Sequence, residues 1–429
     1  MTQPEPSGPA GVTHVLVGYS PVMLGKLDVL LPENSVLVVE EPAVIAARGI
    51  DGLADAHRCV AALLAAPSQD EEHPHRIVAA VPRPPGVRAV VPVVEYGVVG
   101  AAALAEAWGL PGAGPKAARV LRDKARLRAA VDGTDLHQPA WRLVRNPEDV
   151  NGFRARYGAA CVLKPAGRQA SLGVRLLDAD DDTAAAWAHT TTADEPSLRA
   201  GYPDSARFLV EQRLYGPEVS VEAVVHEGLV GFTNITAKTV QDSRHPVETG
   251  HTVPAWLPGA QADALRGAVA VLVAATGFRS GVLHSEWILD GGAPHLVECA
   301  ARLPGGGITA LIDLAYGMDI LSALLGVLDG SGPTAERPPV LGAAVRFLIA
   351  PVGPVEAVEG AEEARRAFGV EEVHLGVAPG DEVLALTSSW ERAGYVIATG
   401  TDATAAARHA EDAAALVSVR TARHVGGAR

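Results

Sequence analysis

Residues 281–307, GVLHSEWILDGGAPHLVECAARLPGGG, constrain the fold more than any other stretch of the chain. Val282 to Leu289 is strand-like, Asp290-Gly291-Gly292-Ala293-Pro294 is dense in turn residues, and His295 to Ala301 is strand-like again. A hairpin symmetric about that turn sets Glu286 directly opposite Glu298. Strand period is two, so His284 and Glu286 share a face, and so do Glu298, Ala300 and Arg302. Two carboxylates facing each other across a ladder repel by roughly 3 kcal/mol at ~5 Å and an effective dielectric near 20. The pair therefore calls for a cation between them. Hard cations such as magnesium take oxygen ligands of this kind and share the rest of their shell with phosphates. Arg302 offers a planar donor fork suited to a phosphate or carboxylate. The competing reading is a solvent-exposed hairpin with scattered charges.

The chain has 429 residues, too long for one core, which implies two or three domains. With 48% hydrophobic and 20% charged residues it is globular. A net charge of -14 argues against nucleic acid or an anionic membrane as partner, while leaving room for a local basic cleft. Cys59, Cys161 and Cys299 are far apart and show no CxxC spacing, so a reducing cytoplasm is expected. The N-terminal MTQPEPSGPAG has no basic region followed by an apolar core, and no apolar run reaches membrane-spanning length; neither a signal peptide nor a membrane span is expected.

Residues 1 to about 11 are rich in Pro and Gly and are expected to fray. Val12 to Gly18 and Ser35 to Glu40 are short apolar runs of the kind found in buried parallel strands. Helices are expected over Ala43 to Arg48 and Asp55 to Ala66, strands over Arg76 to Val81 and Val87 to Val94, and a helix over Ala101 to Trp108 ending at Gly109. This alternation predicts an open α/β domain over about the first 115 residues. Glu95 and Tyr96 follow its last strand, at a position where ligands often bind, although an ordinary loop carboxylate reads equally well. Gly112-Ala113-Gly114-Pro115-Lys116-Ala117 fits GxGxxA only superficially, since it follows a helix and contains Pro115. GxxxxGK[ST] is absent.

Lys116 to Val131 reads as one basic helix carrying Lys124. Ala160 to Pro165 is a strand ending at Lys164, followed by the small-residue loop Gly167 to Gly173, whose N–H groups can close over phosphate oxygens. Phe208 to Val224 reads as a strand, a Gly-Pro turn and a second strand with Glu218, Ser220 and Glu222 on one face. Residues 233–257 are polar, lack apolar periodicity and are expected to form a long substrate loop with His251 in it. A helix follows over Gln261 to Thr276, and another helical stretch over Ile308 to Leu328. Residues 329–339 read as a linker, with strands and helices alternating beyond it.

These pieces, in this order, resemble the ATP-grasp superfamily of carboxylate ligases. The motifs are Arg122-Asp123-Lys124; Leu163-Lys164-Pro165 with Gly167, Ser171 and Gly173; Glu211-Gln212-Arg213-Leu214 with Gly216-Pro217-Glu218; and Glu298-Cys299-Ala300-Ala301-Arg302. Many members have Asn, a third metal ligand, where this chain has Ala300. Glu-x-Ala-Ala-Arg, with His284-Ser285-Glu286 and Glu248-Thr249-Gly250-His251 upstream, is similar to the bacterial L-amino acid ligases that make dipeptides. Gly380-Asp381-Glu382-Val383, Ser388-Ser389 and Arg392-Ala393-Gly394-Tyr395 resemble that group's last domain.

The resemblance implies an α/β, overall α+β, chain in three parts: a Rossmann-like pre-ATP-grasp domain at 1–115, an ATP-grasp domain at 116–335, and a small α+β domain at 336–429. The middle domain would divide into a lid-like part at about 120–210 and a large part at about 211–335. It implies that Lys124, Lys164, Ser171 and Gly173 hold ATP phosphates and that Glu211, Leu214 and Glu218 frame adenine and ribose. Glu286 and Glu298 would hold Mg2+, two ions in all, while Arg302 and His251 would serve catalysis and the amino-acid substrates. The implied activity joins a small carboxylate and an amine, by way of an acyl-phosphate, in a cytoplasmic enzyme that can form a homodimer. The alternatives are a bicarbonate-activating carboxylase and an inactive ATP-binding regulator.

Overall fold

The computed structural model describes residues 11–202 and 206–422. The frayed N-terminus expected from the sequence falls outside the described residues, except for Gly11. The apolar runs His14–Val17 and Val36–Glu40 form neighbouring parallel strands, buried along their whole length. Both faces of this sheet are covered, and that is why the runs do not alternate. The sheet order is Val60–Ala65, Val36–Glu40, His14–Val17, Ala89–Pro92. Helix Val98–Trp108 follows the last of these strands and ends on Gly109, whose φ of 66° supplies the left-handed turn.

Two sequence expectations in this part are corrected. Asp55 to Ala66 is not a helix: only Leu53–Ala56 is helical, and Val60–Ala65 is the edge strand. Its Ala and Leu residues favour a helix locally, but a parallel register with Val36–Glu40 overrides that preference. Arg76 to Val81 is not a strand. Pro74 precedes helix His75–Ala80, which buries Ile77 in the core.

The expected single helix over Lys116 to Val131 is two helices, Pro115–Leu121 and Lys124–Val131. Asp123 breaks it, capping the second helix by accepting from the Arg126 N–H at 2.9 Å. The break sends Arg122 toward the N-terminal part and Lys124 toward the large sheet.

A four-stranded antiparallel sheet comes next, ordered Trp141–Val144, Phe208–Gln212, Cys161–Pro165, Arg175–Leu177. The largest sheet has eight strands. It begins with the hairpin Gly281–Asp290 and Ala293–Ala300 and continues through Glu218–His226, Leu229–Val240 and Glu248–Val253. Glu248–Val253 then pairs with Gly342–Leu348, so the sheet runs on past the 329–339 linker into Gly394–Gly400 and Val370–Leu375. A three-stranded sheet near the C-terminus has Gly353–Glu359 at its centre.

The expected irregular loop at 233–257 is therefore a correction too: most of it is two paired strands. Its apolar periodicity is weak because part of the buried face is polar. Asn234 and Thr236 both donate to the buried Glu222 carboxylate, at 2.6 and 2.8 Å. Trp287 is fully buried in the core on the other face of the sheet, as strand alternation from Glu286 requires. The helical stretch after the hairpin is two helices, Ile308–Tyr316 and Ile320–Leu328, bent by 98°. Among the described residues no single helix is long and apolar enough to cross a membrane. Cys59, Cys161 and Cys299 are buried and unpaired.

Candidate active site

A cleft of about 720 Å³ opens between the four-stranded sheet, the eight-stranded sheet and a turn of the C-terminal part. Lys124, Lys164, Ser171, Glu211, Leu214, Glu218, His251, Glu286, Glu298 and Arg302 all line it. Gly173 does not. Its φ is 73°, and a Cβ there would meet Ala193 Cβ at 2.9 Å and Pro165 Cγ at 3.0 Å, so this glycine is needed for packing behind the loop.

The hairpin has the register expected from its sequence, with Glu286 opposite Glu298. The ladder shifts by one residue just after Glu286. The two carboxylates are not left facing each other without counter-charge, because each meets its own lysine. Glu298 pairs with Lys124 at 2.9 Å, and Glu286 pairs with Lys238. Lys124 also donates to the Arg168 carbonyl at 2.7 Å, which ties the small-residue loop to this corner.

One corner of the cleft is electropositive. Glu211 accepts from Arg128 Nε at 2.8 Å and pairs with Lys164 at 2.7 Å, so two buried cations share one carboxylate. Burial opposes its ionisation, but Arg128 and Lys164 outweigh burial and hold its pKa down to about 2. Burial lowers the Lys164 pKa despite Glu211. The Glu211 carboxylate, which the resemblance places at adenine and ribose, is engaged by Arg128 and Lys164 at the cleft wall. Residues 213–217 have no strand structure and line the cleft, with the Tyr215 N–H donating to Asp290 and the Pro217 carbonyl accepting from the Leu289 N–H.

Beside it lies the opposite arrangement. Lys238, only 1% exposed at its side chain, approaches Glu218 at 3.3 Å and Glu248 at 3.2 Å and also bonds Glu286. Those three glutamates can each place an oxygen within 4.8 Å of the others. Burial, then repulsion from Glu286 and Glu248, raises the Glu218 pKa to about 7 against the pull of Lys238. His284 bridges Glu222 at 2.9 Å and Glu286 at 3.1 Å. Burial works against its charge, but these two bonds raise its pKa to about 9. The carboxylate group with a cation-binding spacing is therefore Glu218, Glu248 and Glu286, with Glu298 standing apart on Lys124. Three oxygen donors of this type suit a hard divalent cation.

Arg302 sits between these corners and the N-terminal sheet. Its Nε donates to Glu95 at 2.7 Å, and Glu95 also accepts from Arg122 at 2.8 Å. Burial resists ionisation of Glu95, but Arg302 and Arg122 hold its pKa near 2. Glu95 is thus not an ordinary loop carboxylate: it is buried and holds Arg302 in place. His251 is 2% exposed, and its Nδ1 has no hydrogen-bond partner. Burial drives its pKa to about 3, so the ring is neutral. Gly306, at φ 61°, leaves room for that ring; a Cβ there would fall 2.8 Å from His251 Nε2.

The small-residue loop carries strain where it meets the cleft. Ala170 and Ser171 are consecutive non-glycine residues at φ 57°, a conformation that persists only where the surroundings enforce it. Ser171 Oγ donates to the Pro246 carbonyl at 3.0 Å, and the Ala170 carbonyl accepts from the Ser389 N–H at 3.1 Å.

Sequence reasoning placed Lys238 in the polar loop and Arg392 in a C-terminal motif without giving either a role, did not single out Arg128 or Trp390, and did not assign Glu248 to the carboxylate group. A signal for Lys238 existed. In the strand pair it lies directly opposite His251, so recognising 233–253 as a hairpin would have placed it in the cleft.

The order of sheets agrees with the ATP-grasp resemblance read from the sequence. Residues 157–310 match the family described as ATP-grasp domain, and residues 346–422 match L-amino acid ligase C-terminal domain 2. The chain thus carries an ATP-grasp domain and a C-terminal domain like that of the bacterial L-amino acid ligases. It is 27% identical over 296 residues to the uncharacterised protein y4rH of Sinorhizobium fredii, covering 68% of this chain and 59% of that one. It is 26% identical over 260 residues to alanine–anticapsin ligase of Bacillus subtilis, covering 57% and 54%. The chain thus spans between half and three fifths of the length of these relatives. The fold is also that of L-amino acid ligase from Bacillus licheniformis, with a TM-score of 0.76 at 18% identity, over 96% of this chain and 99% of that one.

Proposed function

We propose that the protein is an ATP-dependent carboxylate–amine ligase whose substrates are amino acids or an amino acid and a related small acid. The observation that carries this reading is one cleft in which a cation-rich corner, Lys164 with Arg128, adjoins a three-carboxylate group around Lys238. The first suits phosphate oxygens and the second a divalent cation. The names of the relatives and the matched C-terminal family support the same reading.

In this proposal Lys124 and Lys164 hold ATP phosphates, Ser171 and its loop cover them, and Leu214 lies at the nucleobase. Glu218, Glu248, Glu286 and Glu298 would hold Mg2+, which when bound neutralises phosphate charge and polarises the γ-phosphoryl group. A carboxylate oxygen of the acid attacks the γ-phosphorus and ADP leaves. The amine nitrogen then attacks the acyl carbon, phosphate leaves, and the nitrogen passes its proton to the departing phosphate. Arg302, locked by Glu95, stabilises the charge that develops at the phosphoryl group. His251, neutral in the cleft wall, would face the amino-acid substrates.

The test is ADP release across paired amino acids in bicarbonate-depleted buffer, with mass analysis of products. Hydroxylamine in place of the amine should trap the acid as a hydroxamate when ATP and magnesium are present. ADP release that needs bicarbonate and no amino acid would move the protein to the carboxylases. Nucleotide binding with no turnover under any pairing would make it a regulator.

A further inference from the structure

One wall of the cleft comes from the C-terminal part, and no motif reading gave that wall a role. Ser388 is fully buried and caps the turn Ser389–Glu391. Its N–H and Oγ donate to Glu391 Oε2 at 2.7 and 2.8 Å. The turn is also fixed from outside. Besides the Ser389–Ala170 bond, Ser389 Oγ donates to Glu248 Oε2 at 3.3 Å, and Gln241 Nε2 donates to the Leu386 carbonyl at 3.2 Å.

Two side chains of this turn are left with unused capacity. Arg392 is held by Nε and Nη2, which donate to the Glu248 carbonyl at 3.1 and 2.7 Å, and Nη2 also reaches Glu248 Oε2 at 2.8 Å. Its guanidinium lies 3.7 Å from the centre of the Phe347 ring. Nη1 has no hydrogen-bond partner among the described residues. Trp390 lines the cleft with 53% of its surface exposed. A guanidinium edge fixed on three sides is set to take a carboxylate, and an exposed indole on a rigid turn is set to take an apolar side chain. The two lie two residues apart.

Arg302 is 14% exposed at its side chain and Arg392 11%, so both are inner groups, while Trp390 stands at the exposed rim. The acid to be activated must reach Arg302, beside Glu95, so the partner that meets the Trp390 rim is the amine. We infer that the turn Ser388–Arg392 recognises the amine substrate as a free α-amino acid, with Arg392 Nη1 on its carboxylate and Trp390 against its side chain. This rests on the ligase reading above.

The test fixes one acid and ATP and varies the amine. For the wild type, the carboxamide of an amino acid should show a KM at least ~10-fold above that of the free amino acid, on the scale of one charge-assisted hydrogen bond. Trp390→Ala should raise KM about 10-fold for phenylalanine or leucine as amine, and less than about twofold for glycine. Hydroxylamine has neither carboxylate nor side chain, so Trp390→Ala should keep at least about half of hydroxamate formation. A carboxamide used as well as the free acid overturns the inference. So does a variant that loses glycine, phenylalanine and hydroxylamine turnover equally, which would make the turn structural or place it on the acid side. A wild type that forms no hydroxamate with any acid overturns the ligase reading itself.

Discussion

The two corners of the cleft solve opposite charge problems with the same residue types. Around Glu211, two cations share one carboxylate; around Lys238, one cation is shared by three. Counting only these groups as charged, the first corner has one positive charge in excess and the second two negative. Neither imbalance helps folding, since a buried charge without full compensation is costly. Each makes sense as preparation for a ligand of opposite sign, an anion at Lys164 and a cation at Glu218, Glu248 and Glu286. The difference also shows how to test the corners separately. A change at Glu211 should act first on the fold, because that carboxylate is 3% exposed and wholly engaged. Changes to carboxylates that line the open cleft should act first on turnover.

The largest expected effect is at Glu211. Glu211→Gln leaves Arg128 and Lys164 buried side by side without their shared anion. Removing one partner of a buried ion pair costs about 3–5 kcal/mol, so denaturant unfolding at pH 7 should show a loss of that order. A variant as stable as the wild type would mean that the two cations are already neutralised by something else, and the contrast between the corners would fail.

The next effect reads turnover with the fold kept. Glu298→Gln and Glu286→Gln should each lower kcat by at least ~10²-fold, on the scale of losing one preorganised electrostatic group. Both carboxylates line the cleft, and each is paired with a lysine of its own. Circular dichroism of both variants and melting of Glu298→Gln should stay close to wild type, while Glu286→Gln also removes an anion shared by Lys238 and His284 and should melt lower. A folded Glu298→Gln protein with near-normal ligase rate would remove Glu298 from the cation site and leave Glu218, Glu248 and Glu286 as the whole of it.

How much of this was legible beforehand varies by residue. The hairpin was, because its turn residues and period-two alternation are local, and Glu286 does lie opposite Glu298, although the ladder reaches that pair only through a one-residue shift that the turn does not encode. Lys124 and Lys164, assigned to phosphate by the resemblance, do line one cleft. The counter-ions were not legible. Lys238 stands in a strand whose buried face is polar, so it read as a loop. Arg128 read as one of several charges on a solvated helix, yet its side chain is fully buried. The break at Asp123 was written in the sequence as a capping residue and was overlooked inside a run of helix formers. Strand Val60–Ala65 could not be read from its Ala and Leu content, because only its partner strand makes it extended.

The smallest effect separates the corners by the sign of their pH dependence. In the Glu211 corner the folded pKa, about 2, lies below the usual carboxylate value of 4.5. Between those values the unfolded chain holds more protons, so stability from this group is complete above about 4.5 and is lost as pH falls toward 2. Glu218 is the reverse. Its folded pKa, about 7, lies above 4.5, so the folded protein holds more protons in that window. Stability from Glu218 is present below about 4.5 and is lost as pH rises through 7. Glutamine imitates the protonated side chain. Glu218→Gln should therefore match the wild type most closely near pH 4.5 and be the more stable protein, relative to it, at pH 8. The gain should be on the order of 1 kcal/mol, because Glu248, Glu286 and Lys238 redistribute charge as Glu218 ionises. The measurement is the stability difference between the two proteins at several pH values, without nucleotide or divalent cation. A difference that stays constant from pH 5 to 8 would mean that Glu218 is ionised throughout, with Lys238 able to hold three charged carboxylates at once.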